Sequence, residues 1–340
     1  MKYIKQPYFL CGFLILLAIL IGSFIFSAIK EPSTPSQILY DDSGNIIDKA
    51  PFKPNDKYPL GSDQDGNNYL HVLVEGAKYT LGLVILVTLG RMLLSVIGAF
   101  ILLAVPDFFK KVLSHLCNIF YFAPLSIFAY LLIAPVLIVF SWSYSDLTQF
   151  TVTMIVLICL TLPILSLQIA NEISILAKEE YIQNAHLLGG GMVHIFFRHI
   201  LPCLSPKLLL LTVQQAGQTL SIIAHLAFLK IFIGGFHEIT YTATGPSNSE
   251  ITYMRTFSDS HEWGGLIVQN WPAYYAAPVL VIAPVCCFVI CIIAINLMVS
   301  GIERADQNSY KKIKRTKTLI VPEAKTPSFV PLKDRGVNAS

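Results

Sequence analysis

The sequence predicts an all-α polytopic membrane protein with about six transmembrane helices. Three observations carry that reading. Of the 340 residues, 54% are hydrophobic and only 13% charged, about half the charge of an ordinary soluble domain. Mean hydropathy is +0.62. Apolar stretches of roughly 20 residues or more, the length that crosses a bilayer, recur along the chain. They lie near 8–29, 77–105, 113–140, 150–170, 208–234 and 276–302, and six of them place both termini on one side.

The first stretch follows Lys2 and Lys5 but is longer than a signal-peptide core and has no clear small-residue cleavage site, so residues 1–29 read as a cytoplasmic end and an uncleaved anchor. Residues 30–75 are rich in Pro, Asp, Asn and Gly and carry 8 acids against 4 bases. They read as an extracytoplasmic loop with turns rather than a compact domain, suited to touching a substrate-delivering protein. Pro124, Pro135 and Pro163 mark kinks in the third and fourth spans. The segment 171–207 is polar and broken by glycine between two apolar runs. After the fifth span comes an outer segment, 235–275, then the last span and a basic tail, 305–340.

Charge sets the orientation. With the N-terminus inside, the inner segments carry 16 Lys and Arg and the outer segments 5, which predicts a multi-pass cell (plasma) membrane protein with both termini cytoplasmic. Trp142, Trp263 and Trp271 all fall in outer segments, as interface anchors do. The seven cysteines lie in spans or in the inner loop, so no disulfide is expected, and Cys286, Cys287 and Cys291 read as helix packing.

Missing motifs narrow the function. No G-x-x-x-x-G-K-[ST] phosphate loop is present, so any ATP and Mg must be handled by another subunit. Neither H-E-x-x-H nor G-x-S-x-G occurs, and no enzymatic role is expected. His237-Glu238 and His261-Glu262 read as unconnected surface pairs, and no cofactor, metal or nucleic-acid partner is expected.

Ionisable groups inside spans are costly, about 2.5 to 3.5 kcal/mol on insertion scales, and face protein or water. Arg91 is mid-span: it answers a substrate carboxylate, a carboxylate on a partner subunit, or a structural partner at a helix interface. Gln214, Gln218 and His225, with Gln215 and Ser221, make the fifth span unusually polar, as a wet path or a polar partner helix would require. These four, Arg91, Gln214, Gln218 and His225, are the candidate translocation path. Lys230 snorkels outward.

The richest stretch runs from Glu180 to Pro202. Helical spacing puts Ile173, Leu176, Ala177, Tyr181, Ala185 and Leu188 along one side. Gly189 to Gly191 interrupts the helix, and Met192, Ile195, Phe196 and Ile200 resume it until Pro202 ends it. Two short apolar-faced helices outside the bilayer call for a partner groove.

Here the sequence resembles a family. The Gly189 to Pro202 spacing, preceded by Ala185, is similar to the loop by which permease subunits of binding-protein-dependent ABC importers grip their ATPases. Glu180-Tyr181-Ile182 and Phe197-Arg198-His199-Ile200-Leu201-Pro202 resemble the oligopeptide and dipeptide (OppC/DppC-like) branch. Pro59 to Gly66 and Gly76-Ala77-Lys78 resemble the start of that branch's second membrane helix, and Glu262-Trp263-Gly264, Tyr275 to Pro278 and Asn296-Leu297 its last outer loop and helix. The resemblance covers roughly residues 59–304.

It implies a type I importer (MetI-like) permease core over 76–304. It further implies a homologous second permease, one or two ABC ATPases, an extracytoplasmic binding protein and a lipid bilayer as partners. The coupling residues carried over are Glu180, Tyr181, Gln183, Ala185, Gly189, Phe196, Arg198, Leu201 and Pro202. The family commonly reads Glu-Ala-Ala where this chain has Gln183, Asn184 and Ala185, and an apolar residue where it has His199. A solute such as nickel uses the same subunit plan, and a non-transporting scaffold or sensor retains the same loop.

Overall fold

The computed structural model describes residues 6–29, 37–40, 46–56, 58–118, 120, 122–139, 145–189, 191–233, 235–244 and 250–320. Lys2, Lys5, Trp142, Gly190 and the tail from 321 to 340 lie outside the described residues. The architecture is helical: α1 Pro7–Ile29, α2 Tyr69–Ala104, α3 Asp107–Asn118, α4 Leu125–Ala134, α5 Asp146–Leu176, α6 Glu180–Leu187, α7 Met192–Ile195, α8 Leu201–Phe228, α9 Trp263–Asn270 and α10 Val279–Ile320. Two antiparallel hairpins interrupt it, β1 Ile38–Tyr40 with β2 Ile46–Lys49, and β3 Phe236–Thr244 with β4 Glu250–Ser258. The all-α polytopic class read from composition is the class observed.

Among the described residues, five helices are long and apolar enough to cross a membrane: Pro7–Ile29, Tyr69–Ala104, Leu147–Leu176, Phe196–Phe228 and Val279–Gln307. The expected third span at 113–140 is not one helix. Its first part belongs to α3, where Asp107, Lys110, Lys111 and His115 break the apolar run and Lys110 pairs with Asp107 at 3.1 Å. One charged face suits a helix to the membrane surface rather than to hydrocarbon. Its second part is α4, which begins after Pro124 and is prolonged by a wide π-turn at Pro135–Val139. Those 15 residues rise about 22 Å, short of a core about 30 Å thick. Pro124 therefore starts a helix, Pro135 sits in the widened turn, and Pro163 lies inside α5.

α10 continues unbroken past the last span to Ile320. It packs along α1 through mutual close approach. A Cβ on Gly12 would sit 2.2 Å from the Ala294 carbonyl oxygen, and one on Gly301 would sit 2.5 Å from the Phe9 nitrogen. Small residues at both crossings let the backbones meet, which is how helices associate where no hydrophobic force separates helix from lipid. The outward side of α1 presents Phe13, Leu14, Ile21, Phe24 and Ile25, an apolar face for acyl chains.

The loop before α2 folds onto the helix start. Asp63, only 4% exposed, accepts the Asp65 and Asn67 N–H groups at 3.0 and 2.8 Å and the Asn67 side-chain amide at 2.9 Å. Burial nonetheless pushes its carboxyl up from the ordinary value. Asn68 then caps α2 by accepting from Leu70 N–H at 3.1 Å, satisfying one orphan donor.

Buried apolar side chains form two clusters. The larger joins α1, α2, α4, α5, α8, α9 and α10 through residues such as Tyr69, Val87, Ile133, Leu157, Leu220, Trp263 and Cys291. The smaller joins α2, α5 and α8 to the 180–200 segment through Met92, Ala99, Ile169, Ile173, Ile182, Ile195, Phe196, Ile200 and Leu204.

Candidate functional site

The 180–202 segment is a helix, a turn and a second helix. Between α5 and α6 the chain makes tight i→i−3 bonds, Lys178 N–H to Ile175 and Glu179 N–H to Leu176, at 3.2 and 3.0 Å. That turn resets the helical phase. The single stripe expected from Ile173 through Tyr181 to Leu188 is therefore not one face. Ile173 and Ile182 are buried, whereas Tyr181 and Leu188 are 46% and 88% exposed. Glu180 opens α6, where a carboxylate favours the positive end of the helix dipole.

Gly189 makes the turn with φ +86°, a left-handed conformation that glycine adopts without steric cost. The second helix does not end at Pro202. α7 passes through a π-turn at Phe196–Ile200 directly into α8, with Pro202 in the first turn of α8. Pro202, whose φ is already helical, has no N–H to give the preceding turn, and the wider π-turn just before it, where Leu201 N–H bonds to the Phe196 carbonyl, carries the helix past that missing bond. Loop and membrane helix are mechanically one rod.

The loop's inner side is welded to the spans. Ile182, Ile195, Phe196 and Ile200 are each 7% exposed or less, and the Phe196 ring meets the Phe100 ring of α2 edge-on with centroids 4.5 Å apart. Glu172 of α5 pairs with Lys207 of α8 at 3.0 Å just beneath the loop. Its outer side is apolar yet uncovered in the single chain: Leu187 is 85% exposed and Phe197 63%. Gly191, His194, Phe197 and Arg198 border an open groove of about 720 Å3. Tyr181 donates to Cys203 Sγ at 3.4 Å, and Gln183 donates to the Lys178 carbonyl at 3.2 Å. Ala185 is half-buried and Leu201 heads α8.

Sequence reasoning placed the loop but missed its exposed anchors Leu187 and Phe197 and its buried anchor Ile182. A helical wheel started afresh at Glu180 gives Ile182 and Ala185 an inward face; the phase reset at 177–179 was the hidden signal.

Arg91 is fully enclosed. Its Nε and one terminal nitrogen donate to the Leu157 carbonyl at 2.8 and 2.6 Å, and the other donates to Thr219 Oγ1 at 2.9 Å and Gln215 Oε1 at 3.4 Å. The guanidinium thus ties α2 to α5 and α8 through neutral acceptors. Gln214 and His225 stand exposed on α8, with Gln218 and Ser221 half-buried between them. Their spacing draws one polar line along the helix. Gln214, Gln218 and His225 share that line, and the α8 residues that Arg91 bonds are not these but their neighbours Gln215 and Thr219.

At the far end of α8 two sequence expectations change. Glu262 is 2% exposed rather than a surface residue. It caps α9, its Oε1 accepting from Gly265 N–H at 3.0 Å and Ile233 N–H at 3.3 Å, while burial lifts its carboxyl to about 7. Trp263 is no interface anchor but is 1% exposed. Its backbone N–H donates to Thr80 Oγ1 at 3.0 Å and its indole N–H to the Leu73 carbonyl at 2.9 Å. His237 pairs with Asp259 across the hairpin base.

Fold and site together define a polytopic helical membrane protein that carries a helix–turn–helix element outside the bilayer, continuous with a membrane helix. The chain is similar to the peptide transport system permease protein SapC of Salmonella typhimurium, 24% identical over 246 residues, 72% of each chain. The same figures hold for the protein of that name from Escherichia coli O6:H1. No family model matches the chain.

Proposed function

We propose that the chain is a transmembrane permease subunit of an ATP-driven ABC importer, taking up oligopeptides or dipeptides. The 180–202 loop couples closure of partner ATPases to alternating access of the spans. One observation carries the reading: the loop has two apolar sides, one built into the core of α2, α5 and α8, the other, at Leu187, Leu188 and Phe197, left uncovered. An apolar helix tip outside the bilayer is stable when a partner groove covers it. Movement of that groove reaches α8 without a flexible joint, because α7 runs into α8. Similarity to peptide transport permeases supports the substrate class.

In this reading ATP and Mg are bound by the partner ATPases, and the chain itself is the path and the lever, not an enzyme. A homologous permease covers the polar line of Gln214, Gln218 and His225, leaving a wet path between the two subunits. An extracytoplasmic binding protein delivers substrate. With α4 and its π-turn counted as a short sixth crossing beside the five long helices, which a locally thinned bilayer accommodates, both termini lie in the cytoplasm of a multi-pass cell-membrane protein, on the loop's side of the bilayer, in keeping with the excess of Lys and Arg in those segments.

The test is isolation of the chain from its native membrane in mild detergent, with co-purifying proteins identified by mass spectrometry, for wild type and Gly189→Pro. Proline cannot adopt the +86° φ of Gly189. A second permease and ATPases with wild type, and selective loss of the ATPases with the variant, is the expected result. No ATPase with wild type, where a known importer stays intact, sinks the reading.

One observation favours a second reading, a scaffold or sensor that does not transport. Gln183 stands where the resembling family commonly has an acid, and its side chain is turned to the Lys178 carbonyl of its own chain. Gln183→Glu separates the two: faster turnover of the partner ATPase supports a transporter with weakened coupling, and unchanged turnover with intact binding supports the scaffold.

A further inference from the structure

The end of α8 opposite the loop closes in an uncommon way. Ile231 N–H donates to the Leu226 carbonyl and Lys230 N–H to the Ala227 carbonyl, both at 3.0 Å. This is a helix end whose left-handed residue is usually glycine. Here it is Lys230, at φ 59°, where a Cβ crowds the backbone and a bulky residue is disfavoured. A strained position held by a long cation points to a use for that cation.

Lys230 lines a cavity of about 550 Å3 together with Arg255, Gln64, Gln269, Met254 and Trp271. Arg255 is held in place: its guanidinium donates to Gln64 Oε1 and lies 5.1 Å from the Phe257 ring centre and 5.5 Å from that of Tyr241. Gln269 is fixed by accepting the Ser258 N–H at 3.2 Å, which leaves its amide N–H groups as donors. Among the described residues neither Lys230 nor Arg255 forms an ion pair with a carboxylate. Two cations without counter-ions, side-chain amides and an apolar wall of Met254 and Trp271 match a molecule with an oxyanion at one end and an apolar group beside it.

We propose that this cavity binds the carboxylate end of a short peptide, with the carboxylate between Lys230 and Arg255 and the terminal side chain against Met254 and Trp271. The choice of a peptide rests on the importer reading; the preference for an oxyanion rests on the cavity alone. A lysine also favours the negative end of a helix dipole, but that role is indifferent to ligand. Lys230→Gly separates the two roles, because it removes the cation and relieves the backbone at once.

The full chain, purified into phosphatidylcholine nanodiscs, is titrated calorimetrically with the tripeptide Ala-Ala-Phe and with its C-terminal amide. The expected result is at least 10-fold weaker binding of the amide, and at least 10-fold weaker binding of the acid by Lys230→Gly and by Arg255→Gln, with Lys230→Gly melting no lower than wild type. No binding of the acid, equal affinity for acid and amide, or unchanged affinity in both variants overturns the proposal. In phosphatidylglycerol nanodiscs unchanged peptide affinity supports it. A fall there that is absent in Lys230→Gly marks a lipid headgroup as occupant and overturns the peptide assignment. The expected binding by a chain that recovers no ATPase from its membrane sinks the importer reading alone. An assembled, transporting complex indifferent to Lys230→Gly sinks this proposal alone.

Discussion

The two ends of α8 are built by opposite means. At the end that meets the 180–202 loop, Ile182, Ile195, Phe196 and Ile200 are held by apolar packing; among the described residues the side-chain polar bonds there are Tyr181 with Cys203, from loop to α8, and Glu172 with Lys207, between α5 and α8 beneath the loop. At the other end, polar groups fix the geometry: Glu262 ties the Ile233 segment to α9, Trp263 bonds to Thr80 and Leu73, and Gln64 meets Arg255. Apolar contacts tolerate small slides because they have no preferred angle, whereas hydrogen bonds weaken steeply when bent. The comparison teaches that the loop end is suited to move as a unit with its partner, and the far end to hold a fixed shape.

The largest effect that breaks this comparison is expected at the far end. Trp263→Ala removes a side chain that is 1% exposed together with its indole bond to the Leu73 carbonyl, and it is expected to cost about 4 kcal/mol of stability. Thermal unfolding in detergent measures it, and a loss as small as that of a surface substitution contradicts the polar lock. Phe196→Ala at the loop end is expected to cost about 3 kcal/mol and, unlike Trp263→Ala, to reduce ATPase recovery in proportion to the loss of helical order in the loop.

The pH response sharpens the contrast between polar and apolar ends. Burial raises the Glu262 carboxyl to about 7 in the fold against an ordinary 4.5. The folded state therefore holds a proton that the unfolded state has released between those values, and stability falls as pH rises through that window. Wild type is expected to lose melting temperature from pH 5 to pH 8, and Glu262→Gln to remove that part of the slope while keeping the cap acceptor. Equal slopes in both proteins exclude Glu262 as the source.

Smaller still is Gly189→Ala. Forcing a Cβ into φ +86° is expected to cost about 1 kcal/mol, read as a lowered melting point with partial loss of ATPase recovery. Leu187→Ala, at an 85% exposed tip, is expected to change stability by less than about 0.5 kcal/mol yet to weaken ATPase retention. Retention equal to wild type in that variant removes the tip from the docking surface.

Much of the fold was legible because bilayer burial writes itself as long apolar runs. All five long crossing helices, α1 included, follow stretches visible in the sequence, with α2 extended at its start by the Asn68 cap. The third run misled because Asp107, Lys110 and Lys111 stand just outside the window drawn at 113, where their effect on α3 was not counted. At the loop, Gly189 announced a turn, but Pro202 announced a stop that did not occur, because the π-turn at Phe196–Ile200 carries the helix past the bond that proline cannot make. The inward role of Ile182 was hidden by a tight turn that shifts the helical phase without glycine or proline. Glu262 looked like half of a surface His-Glu pair, since nothing local reveals that a carboxylate will be enclosed by residues near 80 and 233.

The sequence by itself determined that this chain lives in a bilayer, where its five long crossings fall and where its glycine-broken loop lies. Those properties depend on composition and spacing within one segment. Only the tertiary structure decided which side of that loop is buried, that the loop and α8 form one rod, that Arg91 braces three helices, and that Lys230 and Arg255 share a cavity. Each of these joins residues separated by many turns of helix, and the free energy that fixes them comes from contacts between elements, which no single stretch of sequence contains.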